Sequence, residues 1–139
     1  MIKSILCALL ILLYTYAATS KLFDLSQFRQ QLHNQTFPGW LDEPLLYGLP
    51  VMEILTALLL FFRRTILTGL YLSLGLLMAF TAYISLVMLH YWDRVPCSCG
   101  GILSHMSWTS HLAFNWAFLI LNVTAIWIHR LQTSPVPHQ

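Results

Sequence analysis

The chain has 139 residues, of which 58% are hydrophobic and only 9% are charged, and its mean hydropathy is +0.68. Soluble domains carry about 25% charged residues, so this composition excludes a fold exposed to water on all sides. The net charge of +2 comes without a basic run, and glycine-rich phosphate loops are absent, which disfavours nucleic-acid and nucleotide binding. We expect residues 1–139 to form a single all-α transmembrane domain.

Four segments are long and apolar enough to cross a bilayer, whose hydrocarbon core takes roughly 20 helical residues. They cover about residues 2–20, 45–62, 66–91 and 108–128. Backbone groups in lipid must be satisfied within the segment, so each segment is expected to be a helix. The sequence therefore predicts a bundle of four transmembrane helices.

The first segment has an alternative interpretation. Lys3, the apolar run after it and small residues at 17–19 are also typical of a cleaved secretory signal. Leu22 and Leu25 continue the apolar face beyond that cleavage point, so we expect the segment to be retained as a span.

The stretch from 21 to 43 is less apolar than the spans that flank it. Leu22, Leu25, Phe28 and Leu32 recur in it at helical intervals. This pattern predicts a short amphipathic helix, between the first and second spans, lying along the membrane interface.

The basic residues indicate how the bundle is oriented. One side carries basic residues without an acidic one: Lys3, Arg63, Arg64 and Arg130. The other side mixes both signs: Lys21, Arg29 and Arg94 with Asp24, Asp42, Glu43 and Asp93. Positive residues mark the cytoplasmic face, so we expect cytoplasmic termini in a bacterial inner membrane and a periplasmic loop between the third and fourth spans.

Glu53 is the only acidic residue within a predicted span. A charge at that depth is costly and normally faces the bundle interior beside a partner. Lys21, at the outer end of the first span, is the natural candidate, although a lysine there could also extend to the interface. A protonated Glu53 bonded to a neighbouring helix and a proton-accepting role in thiol chemistry are the other interpretations.

Trp108, His111 and Asn115 recur at spacings of three and four at the start of the fourth span, which places them on one helical face. Asn122 continues that face, and both asparagines are expected to join helices by hydrogen bonds. His111 could accept a proton from a thiol, or bond to Glu53 or a tyrosine.

The loop between the third and fourth spans contains Cys97-Ser98-Cys99-Gly100-Gly101. A disulfide between cysteines one residue apart closes a small ring, and strained disulfides tend to exchange readily. Gly100 and Gly101 would let the backbone accommodate both redox states, and Arg94 would favour the nucleophilic thiolate. Cys7 lies on the order of 20 Å from the outer end of its helix and is expected to be a packed apolar residue.

Three interpretations of the cysteine pair remain open. The pair could be a redox-active dithiol, a purely structural disulfide, or part of a Cu(I) or Zn site completed by His105, His90 or His111. Cysteines one residue apart suit a tetrahedral site poorly, because its ligands are usually spaced by two to four residues.

Several motifs together resemble the MauE/DoxX-like membrane proteins, and the MauE branch in particular. They are Lys21-Leu22-Phe23-Asp24, Pro50-x-x-Glu53, the cysteine loop, and the run Ser107, Trp108, His111, Phe114 and Asn115. The resemblance implies a four-helix protein linked to thiol–disulfide chemistry outside the cytoplasm. The MauE branch is associated with maturation of methylamine dehydrogenase, a disulfide-rich periplasmic enzyme, alongside a thioredoxin-like partner.

We therefore expect Cys97 and Cys99 to exchange a disulfide with a periplasmic thioredoxin-like protein or a secreted client. Arg94 and His111 would tune the thiols or relay protons, while Glu53 and Lys21 would hold the bundle. A quinone is the lipid-soluble electron acceptor to consider, although no motif identifies its site, and a homo-oligomer is compatible with the sequence. The alternatives are a non-catalytic assembly factor with a structural disulfide, and metal handling. A single intramembrane carboxylate disfavours transport of a polar substrate.

Overall fold

The computed structural model describes residues 1–35, 38–91 and 107–133. The described residues form helices and no strand: α1 (Ile2–Phe23), α2 (Leu25–His33), a 3-10 turn (Gly39–Leu41), α3 (Asp42–Phe61), α4 (Ile66–Met88) and α5 (Trp108–Thr133). Four of them are long and apolar enough to span a membrane: α1, α3 with its preceding turn, α4 and α5. The expected all-α, four-span membrane fold is confirmed.

The four spanning helices close into a ring. α1 packs between α3 and α5, and α4 also contacts both of these helices. Lys3 Nζ lies 3.5 Å from His129 Nδ1, so the start of α1 and the end of α5 meet at the same end of the bundle. The start of the first span and the end of the fourth therefore share one end of the bundle, as expected for an even number of spans.

The predicted amphipathic helix is present as α2. Its buried residues, Phe28 and Leu32, pack against Leu46 of α3. Asp24 caps this helix, because Asp24 Oδ1 accepts hydrogen bonds from Ser26 Oγ at 2.6 Å and from Gln27 N at 2.9 Å. These two bonds, the hydroxyl first, lower the pKa of Asp24, because they stabilise its ionised form.

A buried polar contact crosses the centre of the bundle. Tyr14 of α1 donates to the Ser73 carbonyl of α4 at 3.1 Å and lies 2.9 Å from Ser73 Oγ. Asn122 Nδ2 of α5 donates to the same Ser73 hydroxyl. Asn122 thus joins helices as expected, and α1 supplies both core packing and hydrogen bonding to the bundle.

The helices α3 and α4 approach closely near the turn that connects them. A Cβ atom on Gly69 would lie 2.9 Å from Leu60 N and 3.0 Å from the carbonyl carbon of Leu59. Thr65 Oγ1 donates to the Leu59 carbonyl at 2.8 Å, which ties the turn back to the end of α3. The absence of a side chain at Gly69 is therefore what permits this packing.

The third predicted span was expected to reach residue 91, but α4 ends at Met88. His90 adopts a left-handed backbone conformation with φ of 52°. The amide of His90 donates to the Val87 carbonyl at 3.1 Å, and the amide of Tyr91 donates to the Leu86 carbonyl at 3.2 Å. This pair of bonds is the Schellman arrangement, which ends a helix while satisfying its last carbonyl groups.

The other spans are longer than predicted. α3 begins at Asp42 rather than near residue 45, and its first turn carries Asp42 and Glu43, which favour the positive end of the helix dipole. α5 continues to Thr133 rather than 128, with Arg130 in its last turn. Both helices therefore continue through charged residues that lie outside the apolar segments from which the spans were predicted.

Candidate functional site

A buried ion pair joins α1 to α3. Lys21 Nζ donates to Glu53 Oε1 at 2.7 Å, and the Glu53 side chain is only 2% exposed. The ammonium group also donates to the Ala17 carbonyl at 3.2 Å and lies 5.8 Å from the centre of the Phe28 ring. The partner expected for Glu53 is therefore present, and Lys21 is turned inward to it.

Beside this ion pair is a cavity of about 370 Å³ that all five helices line. Its wall is mostly aliphatic and aromatic, and its polar members include Tyr14, Ser20, Lys21, Gln35, Glu53, Tyr83, His111 and Asn115. The volume is at the lower end of the range for small-molecule sites, which are typically concave, mostly apolar and provided with a few polar groups. The arrangement is that of a binding site for a molecule with a polar group on an apolar body.

The first turns of α5 bring three predicted residues to this cavity. Trp108, His111 and Asn115 all line it, as their spacing on one helical face predicts. Ser107 fixes where the helix begins, because its Oγ accepts a hydrogen bond from the Ser110 amide at 3.2 Å. Two residues singled out from sequence, His111 and Asn115, are thus assembled with Lys21 and Glu53 around one space.

Three buried polar atoms at the cavity lack a hydrogen-bond partner among the described residues. They are Glu53 Oε2, His111 Nδ1 and Asn115 Nδ2. Buried polar atoms are almost always paired, because leaving one unpaired costs about 1–3 kcal/mol. The helix-joining bond expected from Asn115 is accordingly not made by its Nδ2 within the described residues, whereas Asn122 makes its own.

Sequence reasoning missed a contact that connects the end of α2 to α4. Tyr83 of α4 donates to Gln35 Oε1, and both residues line the cavity. They are 48 positions apart, and neither lies in a motif. A buried glutamine after a short amphipathic helix carries no sequence signal that would identify its partner.

The cysteine pair lies outside the described residues, as do Arg94, Gly100, Gly101 and His105. The described chain reaches Tyr91 after α4 and resumes at Ser107, directly before Trp108 at the cavity. Among the residues that are described, no group of three His, Cys, Asp or Glu side chains could hold a metal ion. The metal alternative with Cys97, Cys99 and His105 depends on residues beyond that part of the chain.

The opposite end of the bundle has a different character. Cys7 is a buried free thiol that packs with Leu10 and Tyr14, in agreement with the packed role expected for it. Arg130 donates to the Tyr71 hydroxyl, close to the contact between Lys3 and His129. The basic contacts and the cavity are therefore separated along the length of the bundle.

Residues 1–128 match the family model described as methylamine utilisation protein MauE. The match spans most of α5, the cysteine loop and every cavity residue described above. No curated protein and no solved structure shows significant similarity to the chain.

Proposed function

Because the chain belongs to the MauE family and is a multi-pass membrane protein of the methylamine utilisation type, we propose that it supports thiol–disulfide exchange on an extracytoplasmic client. Cys97 and Cys99 form the exchanging pair in this proposal. The segment that carries them connects α4 and α5 in the sequence, and both of these helices line the polar cavity.

One observation carries the proposal: unpartnered polar atoms of Glu53, His111 and Asn115 gather at the end of the bundle to which the cysteine segment is attached. Asn122 Oδ1 and Gln31 Oε1 also lack a partner among the described residues, but neither residue lines the cavity. At the cavity, three such atoms share one space and stay available for chemistry. Ionisable groups with such surroundings are candidates for proton transfer.

The distribution of charge supports a periplasmic position for the cysteine segment. The end of the bundle with Lys3, His129 and Arg130 also carries the turn with Arg63 and Arg64. Positive residues favour the cytoplasmic face, so in a bacterial inner membrane Cys97 and Cys99 face the periplasm. Thiol pairs persist in the oxidised state in that compartment.

The exchange itself proceeds in two steps. A thiolate of a periplasmic thioredoxin-like protein or secreted client attacks one sulfur of the Cys97–Cys99 disulfide, forming a mixed disulfide and releasing the other cysteine as a thiolate. The second client thiol then attacks the mixed disulfide. The client leaves oxidised, and Cys97 and Cys99 hold the two electrons and two protons. Arg94 stabilises the released thiolate, and His111 accepts or returns a proton.

A non-catalytic assembly factor is the second candidate, favoured by the exposed apolar side chains of Phe23 and Trp40 on either side of α2. Such a surface could dock a partner without any redox step. In that case the cysteine pair shapes the docking loop and stays oxidised throughout.

Trapping of mixed disulfides separates the two candidates. Cells that express Cys97→Ser, Cys99→Ser, the double variant or Cys7→Ser are acid-quenched, alkylated and analysed on non-reducing gels with mass spectrometry. We expect one single variant to accumulate a reducible adduct with a periplasmic protein. Its remaining thiolate attacks the disulfide of an oxidised partner and forms a mixed disulfide, which no neighbouring cysteine of the variant is present to break. The double variant and Cys7→Ser should not.

Adduct formation in none of the single variants, with an unchanged redox state of periplasmic thiol proteins in the double variant, would refute the exchange function. The assembly-factor candidate would then take its place. Cys7→Ser is the matched control, because it removes a thiol from the packed core at the other end of the bundle.

A further inference from the structure

We propose that the cavity between the five helices binds the head group of a lipid-soluble quinone, which accepts the electrons delivered by the cysteine pair. The electron source rests on the proposed function above. The binding site itself rests only on the described residues of the cavity.

The wall of the cavity suits a flat ring with an apolar substituent. Phe28, Phe80, Phe114 and Trp108 all contribute to it, and aromatic side chains favour stacked or edge-on contacts with another ring. The surrounding α1, α3, α4 and α5 are the membrane-spanning helices. A ligand that is soluble in the bilayer suits a space between these helices.

The unpartnered atoms match the hydrogen-bonding needs of a quinone in both oxidation states. Asn115 Nδ2 is a donor and fits a quinone carbonyl, while Glu53 Oε2 is an acceptor as long as the carboxylate is ionised and fits a quinol hydroxyl. His111 Nδ1 serves either form, because its role depends on the tautomer of the ring. A site for this electron acceptor needs both hydrogen-bond donors and hydrogen-bond acceptors, because the ligand arrives with two carbonyls and leaves with two hydroxyls.

Other membrane-soluble ligands fit these groups less well. The Lys21 ammonium group, the cation that could bind a fatty acid, is already paired with Glu53 at 2.7 Å. A second carboxylate beside this pair would be repelled by that of Glu53. A sterol has one hydroxyl group and leaves at least one of the three buried atoms unpaired, which is unfavourable for a buried polar atom. A quinone carries oxygen atoms on two sides of one ring, so it can bond to more than one of these buried protein atoms.

Ala79 of α4 is exposed and also lines the cavity. We therefore place the open edge of the cavity, where a ligand enters, at this small side chain. Ala82, three residues further along α4, is exposed as well but does not line the cavity. With this entrance, a ligand dissolved in the bilayer reaches Glu53 from the side.

The redox step balances without another reactant. The Cys97 and Cys99 thiols lose two electrons and two protons and form a disulfide, and the quinone takes up two electrons and two protons and becomes a quinol. Glu53 and His111 are the groups positioned at the cavity to pass protons to the ring oxygens. The client is thus oxidised at the expense of a quinone.

Binding of decylubiquinone to the protein in quinone-free lipid nanodiscs tests the proposal directly. A photoreactive azido analogue, displaced by decylubiquinone, marks the site, and peptide mapping locates the label. We expect saturable labelling of α4 and of the first turns of α5. Ala79→Phe should weaken binding at least roughly tenfold by filling the open edge, and Asn115→Leu should do so by removing a donor worth about 1.4 kcal/mol.

Ala82→Phe is the matched control, because it adds the same side chain to the same helix outside the cavity, and it should bind like the unaltered protein. The Cys97→Ser/Cys99→Ser variant should also bind normally, so a failure of thiol exchange leaves this result unaffected. Labelling that does not saturate, that maps outside the cavity helices, or that is equal in Ala79→Phe and Ala82→Phe would overturn the proposal. Thermal unfolding of each variant confirms that a loss of binding is not a loss of fold.

Discussion

The ion pair between Lys21 and Glu53 places two charges inside the membrane-spanning part of the molecule, at 2.7 Å from each other. Glu53 is 2% exposed and Lys21 is 16% exposed. An unpaired buried charge is destabilising by about 3–5 kcal/mol in measured cases. Lysine has a long flexible stem that can carry its charge toward water, whereas the Glu53 carboxylate has no such route. Removal of Lys21 therefore leaves a buried, unpaired carboxylate, whereas removal of Glu53 leaves an ammonium group that can reach water.

We predict that Lys21→Met lowers the free energy of unfolding by about 3 kcal/mol, since it strands the carboxylate. Glu53→Gln should cost about 1 kcal/mol, because the amide oxygen still accepts from Lys21. The double variant Lys21→Met/Glu53→Leu should be more stable than Lys21→Met alone. Unfolding in mixed micelles of increasing denaturing detergent measures these differences.

The exposed pair of Arg29 and Glu43 is the control for this prediction. Their side chains are 56% and 64% exposed and lie 3.2 Å apart, and such pairs contribute at most about 1 kcal/mol. Arg29→Met should therefore be nearly neutral. Equal destabilisation by Arg29→Met and Lys21→Met would show that burial does not determine the strength of the Lys21 contact.

The pairing of Lys21 with Glu53 could be predicted from the sequence because charges within apolar spans are few, and each restricts the choice of partner. Uncharged polar residues are more numerous, so the contact among Tyr14, Ser73 and Asn122 could not be predicted in the same way. Asn122 was expected to join helices, but its partner depends on how α4 and α5 are rotated against each other. No local pattern encodes that rotation.

At the scale of the helices, the closest approach is that of α4 to the end of α3 at Gly69. The space for a Cβ atom there is occupied by backbone atoms of Leu59 and Leu60, which cannot move aside as a flexible side chain would. The turn between Phe62 and Thr65 holds the two helices at this distance. A glycine at this position is thus a packing requirement.

We predict that Gly69→Ala destabilises the protein by about 1–3 kcal/mol, the usual effect of overpacking. Gly75→Ala is the matched control on the same helix, because a Cβ atom there would meet nothing within 4 Å. Helical alanine is intrinsically favoured over glycine, so Gly75→Ala should be neutral or stabilising. The same unfolding titration measures the stability of both variants. A Gly69→Ala variant as stable as Gly75→Ala would show that a Cβ atom at residue 69 does not overpack the contact between α3 and α4.

The existence of the four spans and of α2 followed from hydrophobic periodicity and length, which are strong signals. The positions at which the helices end did not follow from these signals. α4 ends where His90 adopts a left-handed conformation. A glycine in the sequence would have indicated such a helix end much more strongly than a histidine does. The interfacial ends of α3 and α5 continue through charged residues that a hydropathy window leaves out.

The whole molecule is divided along its length into two ends of different chemistry. One end carries basic side chains and the packed thiol of Cys7, and the other carries the ion pair, the cavity and the attachment points of the cysteine segment. The sequence indicated which residues belong to which end, because the order of the spans fixes it. It did not predict the cavity, since an open volume depends on five helices at once, including the position of α2 and the contact of Gln35 with Tyr83.

A redox titration of Cys97 and Cys99 in native membranes tests the central claim most directly. Differential alkylation at defined potentials, read by mass spectrometry, gives the oxidised fraction of the pair, and the buried Cys7 thiol serves as an internal reference. We predict a reversible two-electron couple between about −120 and −270 mV, the range of proteins that exchange disulfides. A pair that stays oxidised to potentials below about −300 mV would be a structural disulfide and would contradict the account.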